Sequence, residues 1–268
     1  MESAQPAEVA RFLFAFTLSE RRGMSERQDE AIVLRTWPFQ EADLLVSLFT
    51  RHQGRVKGVA RHAMRSRRRF GGALEPMTYV RANWAEKPRQ ELVRLNSFEI
   101  LWSPLREPVD YARSAALSVV AEVLESALPE QAPEDDVFRL ALTTIERMQV
   151  GEVWLPVTYF LLWVTRLLGW MPDLSSCAVC GESLRGKGFF YSPARDGATC
   201  VVHRGSGSVE VGAESSALAV RIFQQPIAVL AQEAFPKARA VDLRRFAVTA
   251  LERHLEDRLL SARVLARL

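Results

Sequence analysis

The chain has 268 residues, 48% of them hydrophobic and 25% charged, with a net charge of +3. Those proportions exclude disorder over the whole length, and the length exceeds the ~100–200 residues of one domain, so two or three folded units are expected. The charge is uneven: residues 31–100 hold thirteen Lys/Arg against six Asp/Glu and carry +7, the remainder −4, which points to an anionic partner for the N-terminal third.

Residues 1–30 read as a leader ahead of the first strand, either disordered or the product of an upstream start codon, with translation beginning at Met1 or Met24. Its apolar part, Arg11 to Leu18, is similar to a signal-peptide core, but no small-residue cleavage site follows and Glu20-Arg21-Arg22 closes it, so no export signal is read. From Ala31 to about Trp102, β-rich segments alternate with turn residues: Ala31–Trp37, Asp43–Thr50, Arg55–Arg61, Met77–Trp84 and Glu91–Leu101. Five short strands in so few residues predict a small closed or partly closed barrel over residues 31–104.

After Pro108 the period changes. Ala112, Ala115, Val119 and Val123, then Val137, Leu140, Ile145 and Met148, recur at helical spacing, and Val153 to Val164 makes a third apolar helix, shorter than the ~20 residues a membrane span needs. The helical domain is placed at 105–174, a cysteine module at 175–207, and helices completing the bundle at 208–268. There Leu243, Ala247, Leu251, Leu255 and Leu259 form an i+4 stripe on one closing helix. The fold class is therefore α+β and multidomain, with an N-terminal barrel, a helical bundle and an inserted zinc-ribbon-like module.

Between residues 51 and 69 lie Arg51, Arg55, Lys57, Arg61, Arg65, Arg67, Arg68 and Arg69, plus His52 and His62, with no Asp or Glu. Arginine predominates, and its planar guanidinium can grip phosphate with two parallel hydrogen bonds. Arg55, Lys57 and Arg61 alternate with Val56, Gly58 and Ala60, which places the cations on one strand face, while Arg65 to Arg69 reads as a mobile loop ordered by phosphate. The plainer alternative is a solvated, self-repelling surface. Binding single strands also needs aromatic platforms. Trp37, Phe39, Phe70, Tyr79 and Trp84 are the candidates, with Phe70, between Arg69 and Gly71-Gly72, expected to be the exposed one. Arg35 on the first strand joins the set.

Cys177-Ala-Val-Cys180 and, nineteen residues on, Cys200-Val-Val-His203 have the spacing of a structural zinc site, with all four places filled and none left for a reactive water. Reduced, unmetallated thiols are the alternative, and the motif favours a reducing, cytoplasmic compartment. Arg185, Lys187, Arg195 and Arg204 ring the module, either extending an anion-binding surface or solubilising it. No Walker loop, G-x-G-x-x-G or nucleophile elbow appears, and paired carboxylates such as Glu41/Asp43 and Asp135/Asp136 fit capping and solvation better than a nuclease metal site, so no enzymatic activity is expected.

The segments Ala31–Thr50, Gly54–Arg61 and Arg69–Pro76 resemble the bacterial recombination mediator family RecO, the likeness running from about Ala31 to the C-terminus. The resemblance implies an OB-fold at the N-terminus, a helical domain and, in many members, a zinc module. It further implies binding of single- and double-stranded DNA, annealing of complementary strands, and loading of RecA together with RecR onto strands coated by single-strand-binding protein, whose acidic C-terminal tail is a partner. Zinc-bearing members commonly use four cysteines, whereas His203 stands last here. The tail would need an apolar pocket with basic rims, with Arg221, Arg244 and Arg245 as candidates. A protein–protein adaptor with only incidental DNA contact is the rival reading.

Overall fold

A computed structural model describes residues 25–66, 68–88, 90–106, 108, 110–195 and 197–268. The apolar leader segment and Arg67 lie outside the described residues. The chain divides into two compact units, one reaching to Ser103 with Glu130–Pro133 added, the other comprising Pro104–Pro129 and Glu134–Leu268.

In the first unit five strands close a barrel: β1 Ser25–Gln40, β2 Asp43–Thr50, β3 Gly54–Ala60, β4 Tyr79–Glu86 and β5 Val93–Trp102. Their order is β1-β2-β3-β5-β4, with β4 returning to β1; β3 and β5 run parallel and all other neighbours antiparallel. This is the strand order of an OB-like barrel. The first strand begins at Ser25, not Ala31, because residues 25–30 pair with β4 from Ser25↔Glu86 to Glu30↔Arg81. Closure of the barrel needs that extension, and its polar sequence hid it from a reading based on apolar runs.

Burial along β3 alternates strictly: Gly54, Val56, Gly58 and Ala60 face inward, Arg55, Lys57 and Val59 outward. Gly58 stands where a Cβ would lie 2.7 Å from Val93 Cγ2 and 2.8 Å from both Leu95 Cγ and the Val93 carbonyl oxygen, so the parallel pairing with β5 requires glycine. Trp84, Val46, Leu48, Val80 and Leu95 fill the core with Phe70 and Ala73.

The second unit contains α1 Tyr111–Ala127, α2 Asp135–Gln149, α3 Trp154–Leu167, α4 Ala213–Gln224, a single turn α5 Ile227–Leu230, α6 Val241–Leu255 and α7 Leu260–Arg267. Asp110 caps α1, its carboxylate accepting from the Arg113 N–H at 2.8 Å. Between α3 and α4 a three-stranded sheet, β6 Phe189–Tyr191, β7 Ala198–Thr199 and β8 Val209–Val211, is ordered β7-β6-β8. Phe246 of α6 meets both Phe189 and Tyr191 edge-on at 5.1 Å, which fixes this sheet to the bundle.

The expected closing helix is two. Leu243, Ala247 and Leu251 are buried on α6, but the chain turns at Glu256, which has φ 54°, and Leu259 is buried outside that helix. Glu122 of α1 then accepts from the N–H groups of Leu260 at 3.0 Å and Ser261 at 2.8 Å, capping α7 from across the bundle. Among the described residues no helix is long and apolar enough to cross a membrane.

Candidate nucleic-acid interface and metal centre

The basic run lacks acids in sequence but not in space. Arg51 lies 3.4 Å from Glu30, and His52 Nδ1 lies 2.8 Å from Asp29 Oδ1, both carboxylates standing on β1 beside the turn that follows β2. Asp43 accepts from the His62 N–H at 2.7 Å. On β3 the outward-facing Lys57 and Arg55 reach Glu130 at 2.8 and 3.4 Å. The carboxyl of Glu130 is held below its ordinary range by its hydrogen bond to Lys57, an effect that the adjoining charge of Lys57 and Arg55 reinforces.

Glu130 arrives there on a short segment that clips onto β3. The Gln131 N–H donates to the Arg55 carbonyl at 3.0 Å, and Arg55 and Glu130 form an isolated parallel bridge. Gly54 sits beneath the clip at φ +71°, where a Cβ would fall 2.2 Å from the Ala132 carbonyl oxygen.

Beyond β3 the expected mobile loop is partly fastened. Residues Ala63–Arg65 form a 3-10 turn whose Met64 N–H donates to Ala42 at 3.1 Å. Arg69 donates to the Arg61 carbonyl at 2.5 Å and to Ser66 Oγ at 3.2 Å, and its own carbonyl accepts from the Phe98 N–H at 2.9 Å. Phe70 is only 2% exposed and meets Phe98 edge-on at 5.5 Å. It is a barrel plug, and the expectation that it is an exposed stacking residue is corrected: an open barrel end draws in the nearest large apolar side chain. Trp84 is fully buried, and the Tyr79 phenol is pushed up to about 12 by burial and by the Glu30 carboxylate. Phe39, by contrast, is 46% exposed, and Trp37 is half-buried under the Arg35 guanidinium, 5.2 Å from its ring centre.

Of the proposed phosphate ligands, Arg35, Arg61, Arg65 and Arg68 are exposed with no ion pair among the described residues, and exposed Arg94 on β5 joins them. Sequence inspection passed over Arg94 because it stands alone in an apolar strand; only the β3–β5 pairing, Val59↔Arg94, brings it to this face.

In the second unit, Cys177, Cys180, Cys200 and His203 bring their ligand atoms within 4.8 Å of one another. Cys200 Sγ and His203 Nδ1 are 3.3 Å apart, Cys177 Sγ and His203 Nδ1 3.8 Å, and Cys180 Sγ and Cys200 Sγ 4.0 Å. Ligands at ~2.0–2.3 Å around a tetrahedral ion stand ~3.3–3.8 Å apart, so the four side chains fit a metal centre. The two ligand turns are joined where the Ala178 N–H donates to Ala198 at 2.9 Å, and His203 is turned inward by a 3-10 turn, its N–H donating to Cys200 at 3.1 Å. Burial raises the Cys177 thiol, but backbone N–H groups of Cys200, Cys180 and Val179 outweigh it and bring the group down to about 6, favouring the thiolate that a metal binds.

Two other features of this unit bear on ligands. A cleft of about 960 Å³ is lined by Met171, Pro172, Leu174, Val220 and Phe223 together with Arg166, Arg185 and Asp173. The candidates Arg221, Arg244 and Arg245 lie elsewhere. Arg221 is bonded to Glu233 and Arg245 lines a more polar groove, while Arg244 is 9% exposed. Its guanidinium donates to the carbonyls of Arg239, at 2.8 Å, and Lys237, and to Thr158 Oγ1 at 3.1 Å, and burial lowers it to about 10. The paired carboxylates are similarly engaged, Asp135 and Asp136 with Arg139.

The family model described as Recombination protein O N terminal matches residues 24–104, and that described as Recombination protein O C terminal matches residues 108–263. The DNA repair protein RecO of Koribacter versatilis is 50% identical over 242 residues, spanning 90% of this chain and 99% of its own length. The RecO proteins of an Anaeromyxobacter species, 32% identical over 241 residues, and of Syntrophobacter fumaroxidans, 34% identical over 165, cover 87% and 60% of this chain and 93% and 64% of their own.

Proposed function

The chain belongs to the RecO family of DNA repair proteins, and from that premise we propose that it is a non-catalytic recombination mediator. In this reading it binds single- and double-stranded DNA through its barrel, anneals complementary strands and, with RecR, loads RecA on DNA coated by single-strand-binding protein in the cytoplasm. The observation that carries the reading is the barrel with Arg61, Arg65 and Arg68 exposed beyond β3 and Arg35 and Arg94 exposed beside it. Such a surface attracts phosphates irrespective of base sequence, which suits a protein that must pair any strand with its complement.

In the same reading the cysteine–histidine centre would hold one zinc ion in a structural role. Cys177, Cys180, Cys200 and His203 would supply all four ligands and leave no position for a reactive water, so the ion would tie the two turns together and take no part in chemistry. The cleft lined by Arg166 and Arg185 is the seat for the acidic tail of single-strand-binding protein: the two guanidinium groups meet its carboxylates and outnumber Asp173, the one carboxylate in the lining, while Met171, Leu174 and Phe223 offer apolar contact.

Annealing of complementary oligonucleotides by the purified full chain, alongside capture of RecR on the immobilised protein, tests the reading. Accelerated annealing that declines with salt is expected. Absence of DNA binding and annealing at low salt, with RecR still captured, would replace it with the adaptor reading.

A further inference from the structure

On the outer face of the barrel the strand register lines up one row across four strands: Trp37↔Leu45, Leu45↔Val59 and Val59↔Arg94. Trp37, Leu45 and Val59 are each half-exposed although no neighbour along the row is polar until Arg94. At the end of β1 a bulge between Pro38 and Gln40 leaves Phe39 without a cross-strand partner, and its ring is 46% exposed. A bulge re-aims the residue it inserts, and an aromatic ring held out in water at such a place has no structural role in the barrel core.

This strip has a basic rim. Arg35 lies over Trp37, Arg94 ends the row, and the Arg61–Arg65 segment is tied to the β1–β2 turn by the Met64 N–H bond to Ala42. Of the two carboxylates in that turn, Asp43 is turned to the His62 N–H, and Glu41 is the acidic exception. Apolar rings for bases beside guanidinium groups for phosphates are the two components that an unpaired strand requires together. A duplex offers only its phosphates to such a face, since its bases are stacked on one another.

We infer that Phe39 and Trp37 form a stacking platform for unpaired bases, so that the barrel distinguishes single-stranded from double-stranded DNA by aromatic contact. The inference rests on the reading that the barrel binds DNA, and it names the part of that surface that touches bases. Phosphate-binding arginines supply affinity common to both forms, and the platform adds affinity for the single strand alone.

The test uses the full chain with an oligothymidylate, a duplex of the same length and an abasic oligonucleotide, each titrated over a range of salt. Phe39→Leu keeps an apolar side chain without the ring, and Phe39→Tyr restores a ring. Phe39→Leu should weaken oligothymidylate binding about tenfold, within the roughly 5- to 150-fold range of one lost base stack, with the salt slope unchanged. Duplex and abasic binding should be unaltered, and Phe39→Tyr should recover most of the loss. Unchanged oligothymidylate binding by Phe39→Leu, or equal losses on all three ligands, overturns the platform while leaving DNA binding in place. No DNA binding by the unmodified chain overturns both.

Discussion

Replacing Glu130 with glutamine removes the carboxylate that faces Lys57 at 2.8 Å and Arg55 at 3.4 Å while keeping the shape of the clip. The Glu130 side chain is 50% exposed, and partly exposed pairs of this kind contribute about 0.2–1 kcal/mol each. For DNA to engage these two cations it must first displace that carboxylate. Glu130→Gln should therefore tighten single-strand binding by about 2- to 30-fold, the equivalent of about 0.4–2 kcal/mol. The salt dependence gives an independent reading: each added phosphate contact on a single strand contributes about −0.7 to the log-log slope. The slope should steepen by about 0.7 if Lys57 alone turns to phosphate and by about 1.4 if Arg55 follows. Fluorescence anisotropy with a labelled oligonucleotide across a salt series measures both. Because the folded Glu130 carboxyl is held below its ordinary range, its pairs contribute in full above that range and lose their contribution only as pH falls through the folded value. The comparison should thus hold unchanged around neutral pH. Identical slopes and affinities for the two proteins would mean that Lys57 and Arg55 serve only to pin the clip, and that phosphate contacts lie elsewhere.

Phe70→Ala should cost about 3–5 kcal/mol in urea unfolding, since it removes a barrel plug, whereas Phe39→Ala should stay within about 0.5 kcal/mol; similar costs for both would contradict their opposite burial. Elemental analysis should find one zinc per chain, reduced in Cys177→Ser and in His203→Ala, and a full complement in both variants would discard the centre as drawn. Arg244→Ala leaves two carbonyls and the Thr158 hydroxyl short of a donor and should lower stability by about 2–4 kcal/mol. Arg244→Lys should not rescue it, because an ammonium lacks the fork that reaches three acceptors; equal stability of the lysine variant and the unmodified chain would show the fork to be dispensable. Arg166→Glu with Arg185→Glu should abolish capture of a peptide carrying the acidic tail without altering DNA affinity, and retained capture would remove the cleft from the reading.

Local features were legible in the sequence and remote ones were not. The cysteine–histidine centre could be read because each ligand pair is closed by one turn, leaving a single long-range step to be supplied by the fold. Five strand positions followed from apolar runs, but the polar start of β1 at Ser25 is a strand only because β4 lies beside it. The stripe from Leu243 to Leu259 looked continuous because the core accepts Leu259 from beyond the turn as readily as from within a helix. Phe70 was preferred over Phe39 as the exposed ring for a similar reason. A phenylalanine among arginines and glycines looks the more exposed of the candidates, yet barrel closure draws Phe70 in, and a bulge that no local sequence announces leaves Phe39 outside. Nothing near residue 57 announces that Glu130, far along the chain, sits on the basic face.

The same partition decides which cations can act. Arg51, Arg55 and Lys57 face carboxylates, and Arg69 and Arg244 are fastened to backbone carbonyls, so any of these must break an existing contact before meeting a phosphate. Arg35, Arg61, Arg65, Arg68 and Arg94 face solvent, where the exchange is only of a counterion or water for phosphate. Five such groups, each contributing about −0.7 on a single strand, place the slope of the unmodified chain near −3.5. Counting every cation between residues 51 and 69 would give a steeper value, and Glu130→Gln should move the measured slope part of the way towards it. The slope and its shift therefore separate charge that the fold has already neutralised from charge it keeps for a ligand, which the sequence, where both look alike, does not distinguish.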